Sequence, residues 1–130
     1  MAKGLSAESI TVAAAELIEQ YGRSGFSMRL LADTMGVKTA SLYNHIENMD
    51  TLLTEVCRYA LRMQGDGELR AIAGKTGREA VWALAWAYRR FAQQHRELYW
   101  LVMDTAAGEP RVLDDAAARF TEPLKQVLSG

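Results

Sequence analysis

The sequence predicts an all-α protein, with an N-terminal three-helix domain over residues 1–47 and a helical body over residues 48–130. Three observations carry this prediction. Apolar residues recur at i, i+3 and i+4 in nearly every stretch, with no strand-like alternation between them. Residues suited to capping a helix stand ahead of the main runs, at Ser6, Ser27, Asn48 and Thr76. Both prolines, Pro110 and Pro123, come late, so the strongest helix breaker is absent from most of the chain.

The first helix is expected from Ala7 to Tyr21. Ser6 caps it, Leu5 staples onto Ile10 across the cap, and Ile10, Ala14, Leu17, Ile18 and Tyr21 form its apolar stripe. Gly22 and Gly25 end it. Ser27 then offers an oxygen to the first free amides of a second helix, which carries Leu30, Leu31 and Met35. Ala32 is small enough for another helix to cross closely, and Gly36 suits a left-handed helix end. After Val37, a third helix from Lys38 to His45 places Leu42 and Ile46 on its inner side.

A fourth helix, Met49 to Gln64, follows the Asn48 cap with Leu52, Leu53, Val56, Ala60 and Met63 on one side. Gly65–Asp66–Gly67 reads as the strongest break in the chain. Thr76–Gly77–Arg78–Glu79 has the pattern of a capping box and opens a helix to about Gln94. The first half of that helix is apolar almost all round (Val81, Trp82, Leu84, Trp86, Tyr88), so other helices are expected to surround it. His95 lies at a break. Glu97 to Ala107 makes a further apolar helix with Tyr99, Trp100, Leu101 and Met103. A last one starts near Arg111, carries Val112, Leu113, Ala116, Phe120 and Leu124, and is kinked or broken by Pro123 near Glu122.

Residues 25–46 thus read as helix, glycine turn and helix, each apolar on one side only, which is the layout of a DNA-reading helix-turn-helix. The outer face of the second helix of the pair is short and polar: Thr39, Ala40, Ser41, Tyr43, Asn44 and His45. Thr39 and Ser41 can donate or accept, Ala40 can touch a thymine methyl, and Asn44 can pair bidentately with adenine. The fork of Arg29 suits a guanine edge, and the same residue also reads as a solvated surface arginine. Tyr43 has a second reading as a packed aromatic, and His45 as a structural histidine.

The pattern Gly25–Phe26–Ser27, Arg29, Leu31–Ala32, Gly36–Val37, Ser41–Leu42–Tyr43 and His45–Ile46, followed by Asn48 and Leu52–Leu53, resembles the DNA-binding region of the TetR family of transcriptional regulators. The resemblance implies a regulator, most often a repressor. Its operator contacts would come from Ser27, Arg29, Lys38, Thr39, Ala40, Ser41, Tyr43, Asn44 and His45. Thr39, Ala40, Ser41 and Asn44 would approach base edges, and Tyr43 and His45 would hold phosphates. Met49 departs from the family, which usually places a phosphate-pinning lysine there. The resemblance also implies a small-molecule effector in the body, which moves the fourth helix and spreads two reading heads. Family members usually continue with two more long helices that form the homodimer. The sequence through Gly130 does not contain them, so it reads either as a fragment with a partial body or as a chain unusually short for the family, without the usual dimer interface.

The body is rich in large rings. Met63, Trp82, Trp86, Tyr88, Trp100, Met103 and Phe120 are the candidate ligand-lining residues, and plain core is the competing reading. Few ionisable groups fall on the apolar faces, so a largely uncharged ligand is expected. Charge is the observation that resists a DNA-binding reading. Through Gly65, six cations (Lys3, Arg23, Arg29, Lys38, Arg58, Arg62) face seven acids (Glu8, Glu16, Glu19, Asp33, Glu47, Asp50, Glu55). Modest nonspecific affinity and a shallow salt dependence follow. The same observation sustains an alternative, an all-α ligand-carrier or protein-interaction module with a purely structural helix-turn-helix.

Other chemistry finds little support. The N-terminus has no apolar run after its basic start, and the longest apolar run, Ala80 to Tyr88, is far too short to span a bilayer. The single cysteine, Cys57, excludes an internal disulfide, fits a cytoplasmic protein and reads as a small buried apolar group. Gly74–Lys75–Thr76 has the ending of a phosphate-binding loop, but Leu69 stands where its first glycine is required. Two distant histidines and one cysteine make no metal set, no cofactor is implied, and no nucleophile–base spacing suggests an enzyme.

Overall fold

The computed structural model describes residues 4–108 and 125–128. The expected last helix, with Phe120 and the Pro123 kink, lies outside the described residues except for a helical stretch at 125–128. Six helices make up the rest: α1 (Ala7–Gly25), α2 (Met28–Met35), α3 (Thr39–Leu42), α4 (Met49–Ile72), α5 (Gly77–Gln94) and α6 (Arg96–Gly108).

Helix α1 opens on a reciprocal cap. Ser6 Oγ accepts from the Ser9 amide at 3.0 Å, and Ser9 Oγ accepts from the Ser6 amide at 3.0 Å. Leu5 packs half-buried against the core beside the fully buried Ile10. Of the expected stripe, Ile10, Ala14, Leu17 and Ile18 are buried, whereas Tyr21 is exposed. The helix also runs past Tyr21. Gly22 leaves helical dihedrals (φ 77, ψ 167), and one more turn follows to Gly25 before Phe26 resumes an extended backbone.

In α2 the Ser27 oxygen accepts from the Leu30 amide at 3.0 Å. Gly36 sits at φ 72, ψ 32, where its amide donates to Asp33 O and the Val37 amide donates to Ala32 O. Both bonds of a Schellman end are therefore made, which is why the turn is tight. Helix α3 is shorter than the expected Lys38–His45. It spans four residues, and bonds from Asn44 to Ser41 and from His45 to Leu42 then tighten the chain to i→i−3 spacing. Leu42 and Ile46 still anchor the segment to the core.

Helix α4 corrects the expected break at Gly65–Asp66–Gly67. It continues for 24 residues to Ile72, and Gly65 lies inside it, buried. Two glycines cost a helix roughly 1 kcal/mol each. Packing overrides that cost, because Leu52, Val56, Ala60, Gln64, Glu68 and Ile72 bury a continuous i+4 stripe along the helix. The Thr76 capping box is not formed, since Thr76 makes no side-chain cap bond. Among the described residues, helix α5 is not surrounded either. Ala80 and Phe91 are buried, while Val81, Trp82 and Trp86 are more than half exposed, at 53%, 59% and 52%.

One core runs through the molecule. Ile10, Ile18, Leu31, Leu42, Leu52 and Val56 join Phe91, Leu98, Leu101 and Val102 in a single cluster, with α1 packed on both α4 and α6.

Candidate nucleic-acid interface

The hairpin α2–Gly36–α3 presents its polar side outward. Ser27, Arg29, Lys38, Ala40, Tyr43, Asn44 and His45 are exposed, and Thr39 and Ser41 are partly so. Tyr43 is 46% exposed, which leaves its ring and hydroxyl free of the core. No described residue engages the Arg29, Lys38, Tyr43, Asn44 or His45 side chains, whereas Ser27 spends its oxygen on the cap. Leu31, Ala32 and Leu42, all buried beneath, hold this surface to the core cluster that α1 and α4 share. The arrangement offers hydroxyls, an amide, an imidazole and two cations on one rigid edge, which suits phosphate oxygens and base edges. Met49 is partly buried against the core at the start of α4, so its side chain serves packing.

Behind the head, α1 is tied to the corner between α5 and α6. His95 Nδ1 lies 2.6 Å from Glu19 Oε2, and Glu19 Oε1 accepts from the Leu98 amide at 3.4 Å. The His95 ring also packs on Phe91, with centroids 4.7 Å apart. His95 is at the same time a wall of a half-open groove of about 470 Å³ between α4 and α5. Met63, Gln64, Gly67, Arg70, Ala71, Ala87, Arg90, Phe91 and Gln94 complete its lining. At its back, buried Gln64 donates to buried Glu68 at 3.1 Å. Burial pushes the Glu68 carboxyl above the usual range, and the Gln64 bond partly opposes this.

Of the expected ligand-lining residues that are described, only Met63 reaches this groove, and Phe120 lies outside the described residues. Trp82, Trp86, Trp100 and Met103 are exposed, and Arg89 lies over the Trp86 ring, 5.4 Å from its centroid. Tyr88 turns to Tyr99, with hydroxyl oxygens 2.9 Å apart. Burial, that bond and the charges of Tyr99 and Glu68 push the Tyr88 phenol up to about 12. Cys57 is buried and within hydrogen-bond reach of Thr105 Oγ1 at 3.4 Å, its thiol pushed up by burial. It has the expected character of a small core group. Among the described residues, no grouping of His, Cys, Asp and Glu could hold a metal ion, and no helix is long and apolar enough to cross a membrane.

Residues 10–56, which span most of α1, all of α2 and α3 and the start of α4, match the family of bacterial regulatory proteins of the tetR type. Over 96 residues the chain is 33% identical to YobS, an uncharacterized HTH-type transcriptional regulator of Bacillus subtilis (strain 168), covering 74% of this chain and 50% of YobS. The chain belongs to the TetR family.

Other relatives agree with this TetR membership. The class D tetracycline repressor protein of Escherichia coli is 31% identical over 93 residues, 72% of this chain and 42% of its own length. The TetR chain therefore spans about half the length of these relatives, or less. Its fold is similar to that of a protein of unknown function from Rhodococcus sp. RHA1, with a TM-score of 0.77, 25% identity and coverage of 95% of this chain and 64% of that one. PfmR, a TetR-family regulator of Thermus thermophilus, is similar in fold at a TM-score of 0.67 and 22% identity, over 92% of this chain and 68% of its own. Within the TetR frame, sequence reasoning missed Glu19, Arg70, Arg90 and His95. The assumed break at Gly65 hid the i, i+4, i+7 spacing of Met63, Gly67 and Arg70 on one helix face.

Proposed function

We propose that this chain is the DNA-binding head and part of the effector-binding body of a TetR-type repressor. The head, residues 1–47, holds operator DNA through the exposed face of α2 and α3. Arg29, Thr39, Ala40, Ser41 and Asn44 face base edges. Lys38, Tyr43 and His45 face phosphates, and Ser27 fixes the start of α2. The body, residues 48–130, receives a small effector whose binding lowers operator affinity, and the whole protein acts as a cytoplasmic homodimer. The observation that carries this reading is the unengaged polar edge of α2–α3, held rigid by a capped start, a Schellman turn and buried Leu31 and Leu42. Because α1 packs on both α4 and α6, a shift of the body reaches the head through one core.

The test is binding of the full chain to DNA from its own upstream region, against unrelated DNA and against an Arg29→Ala, Tyr43→Ala double variant. Both side chains are exposed, so the variant keeps its fold, as a urea melt checks. The expected result is a preference for the upstream site of at least roughly a thousandfold, lost in the variant. Equal, weak binding by both proteins to both DNAs would promote the alternative of a carrier or interaction module. The near-neutral charge of the head is the observation that favours that alternative.

A further inference from the structure

Among the described residues, the groove between α4 and α5 is lined by two arginines and by no carboxylate. Arg70 comes from α4, Arg90 from α5, and His95 closes the end. The Arg70 guanidinium lies along the bare backbone of Gly67, its Nη2 3.8 Å from where a Cβ on Gly67 would stand. No described residue forms an ion pair or hydrogen bond with Arg70 or Arg90. Two acids are bonded to residues of the groove wall. Glu19 is held by His95, and buried Glu68 accepts from Gln64. In the same lining, Phe91 and Met63 supply apolar surface. A volume of about 470 Å³ lies within the range of small-molecule sites.

We propose that the effector is a small organic anion, a carboxylate with an apolar or aromatic part. Its carboxylate lies between Arg70 and Arg90, and its apolar part lies against Phe91 and Met63. This rests on the reading of the body as the effector-binding part, and it replaces the largely uncharged ligand expected from the scarcity of ionisable groups on the apolar faces. The physical case is charge and shape together. Arginine forks match a carboxylate bidentately, and charge-assisted bonds are the stronger kind. Two exposed guanidiniums in one cleft, neither paired with a described residue, also repel each other, weakly through solvent, until an anion enters. A neutral ligand would leave that repulsion in place. Because both arginines are exposed, the preference is expected to weaken with salt.

Calorimetric titration of the full chain with benzoate, naphthoate and octanoate, each beside its neutral amide, tests the proposal. At least one carboxylate is expected to saturate the protein about tenfold more tightly than its amide. An Arg70→Gln, Arg90→Gln double variant is expected to lose about tenfold of that affinity, whereas Arg78→Gln, on the exposed start of α5 outside the groove, keeps it. Amides binding as well as carboxylates, no saturable binding by any of the three acids, or equal losses in both variants would overturn it. Operator binding measured on the same samples separates the two readings. Specific DNA binding without a carboxylate preference sinks the anion proposal alone. A carboxylate preference without specific DNA binding sinks the regulator reading and leaves the groove assignment standing.

Discussion

Replacing Gly22 by alanine tests the geometry that joins α1 to the helix-turn-helix. Gly22 sits at φ 77, ψ 167, a combination essentially confined to glycine. Forcing an L-residue into it costs about 1–3 kcal/mol, offset by about 0.4–1 kcal/mol from a stiffer unfolded chain. A Cβ there would also stand 2.9 Å from Glu97 Oε1. Glu97 is exposed, so its carboxylate can swing aside and the contact adds little. The net expectation is a loss of roughly 1–2 kcal/mol, or a Tm lower by roughly 3–10 °C for a chain of this size. Urea unfolding should show a lower midpoint at an unchanged m-value. A double-mutant cycle with Glu97→Ala separates the two causes, and backbone strain predicts a coupling below about 0.5 kcal/mol. Full recovery of the Gly22→Ala loss in the Glu97→Ala background, or no loss at all, would refute the reasoning.

Three further outcomes are expected. Ser27→Ala removes the acceptor of the Leu30 amide and should cost about 1 kcal/mol in urea unfolding; no change would mean that water caps α2 equally well. Leu31→Ala, at a fully buried site under the helix-turn-helix, should cost about 3–5 kcal/mol, and a loss below about 1 kcal/mol would contradict the packing described. Glu68→Gln tests the buried carboxyl. Its folded pKa is raised by burial, so the fold favours the protonated form; that contribution is complete below the ordinary glutamate pKa and is lost as pH rises through the raised value. Glutamine keeps an acceptor for Gln64, so the variant should be more stable than the parent near neutral pH, with the gap closing in acid. Denaturant midpoints across pH measure this, and a variant less stable at neutral pH would oppose it.

The head was legible because each of its signals is local. Ser6, Ser27 and Asn48 all accept the amides their positions imply, and Gly36 takes the left-handed turn. The body was less legible because its signals are tertiary. Glycines at 65 and 67 read as a break, yet burial along α4 outweighs their propensity. Trp82 and Trp86 read as lining a pocket, yet periodicity cannot say which apolar face finds a partner, and here they stand exposed. The Glu19–His95 tie joins positions far apart in sequence, a pairing that only the fold brings together. Arg70 and Arg90 share a groove for the same reason.

The unbroken length of α4 sets a mechanical ratio. Its groove residues begin at Met63, about 14 residues from Met49, so roughly 21 Å of helix at about 1.5 Å per residue separates the two. Pivoted at the groove, such a rod carries its head end about 0.4 Å for each degree of tilt. Ten degrees amount to roughly 4 Å, about the rise of one base pair. A kink at Gly65 would have placed a soft joint at the fulcrum, and a push on the wall near Arg70 would have dissipated there. In the function proposed above, α4 as an unbroken lever converts a displacement smaller than a side chain into one that a double helix registers.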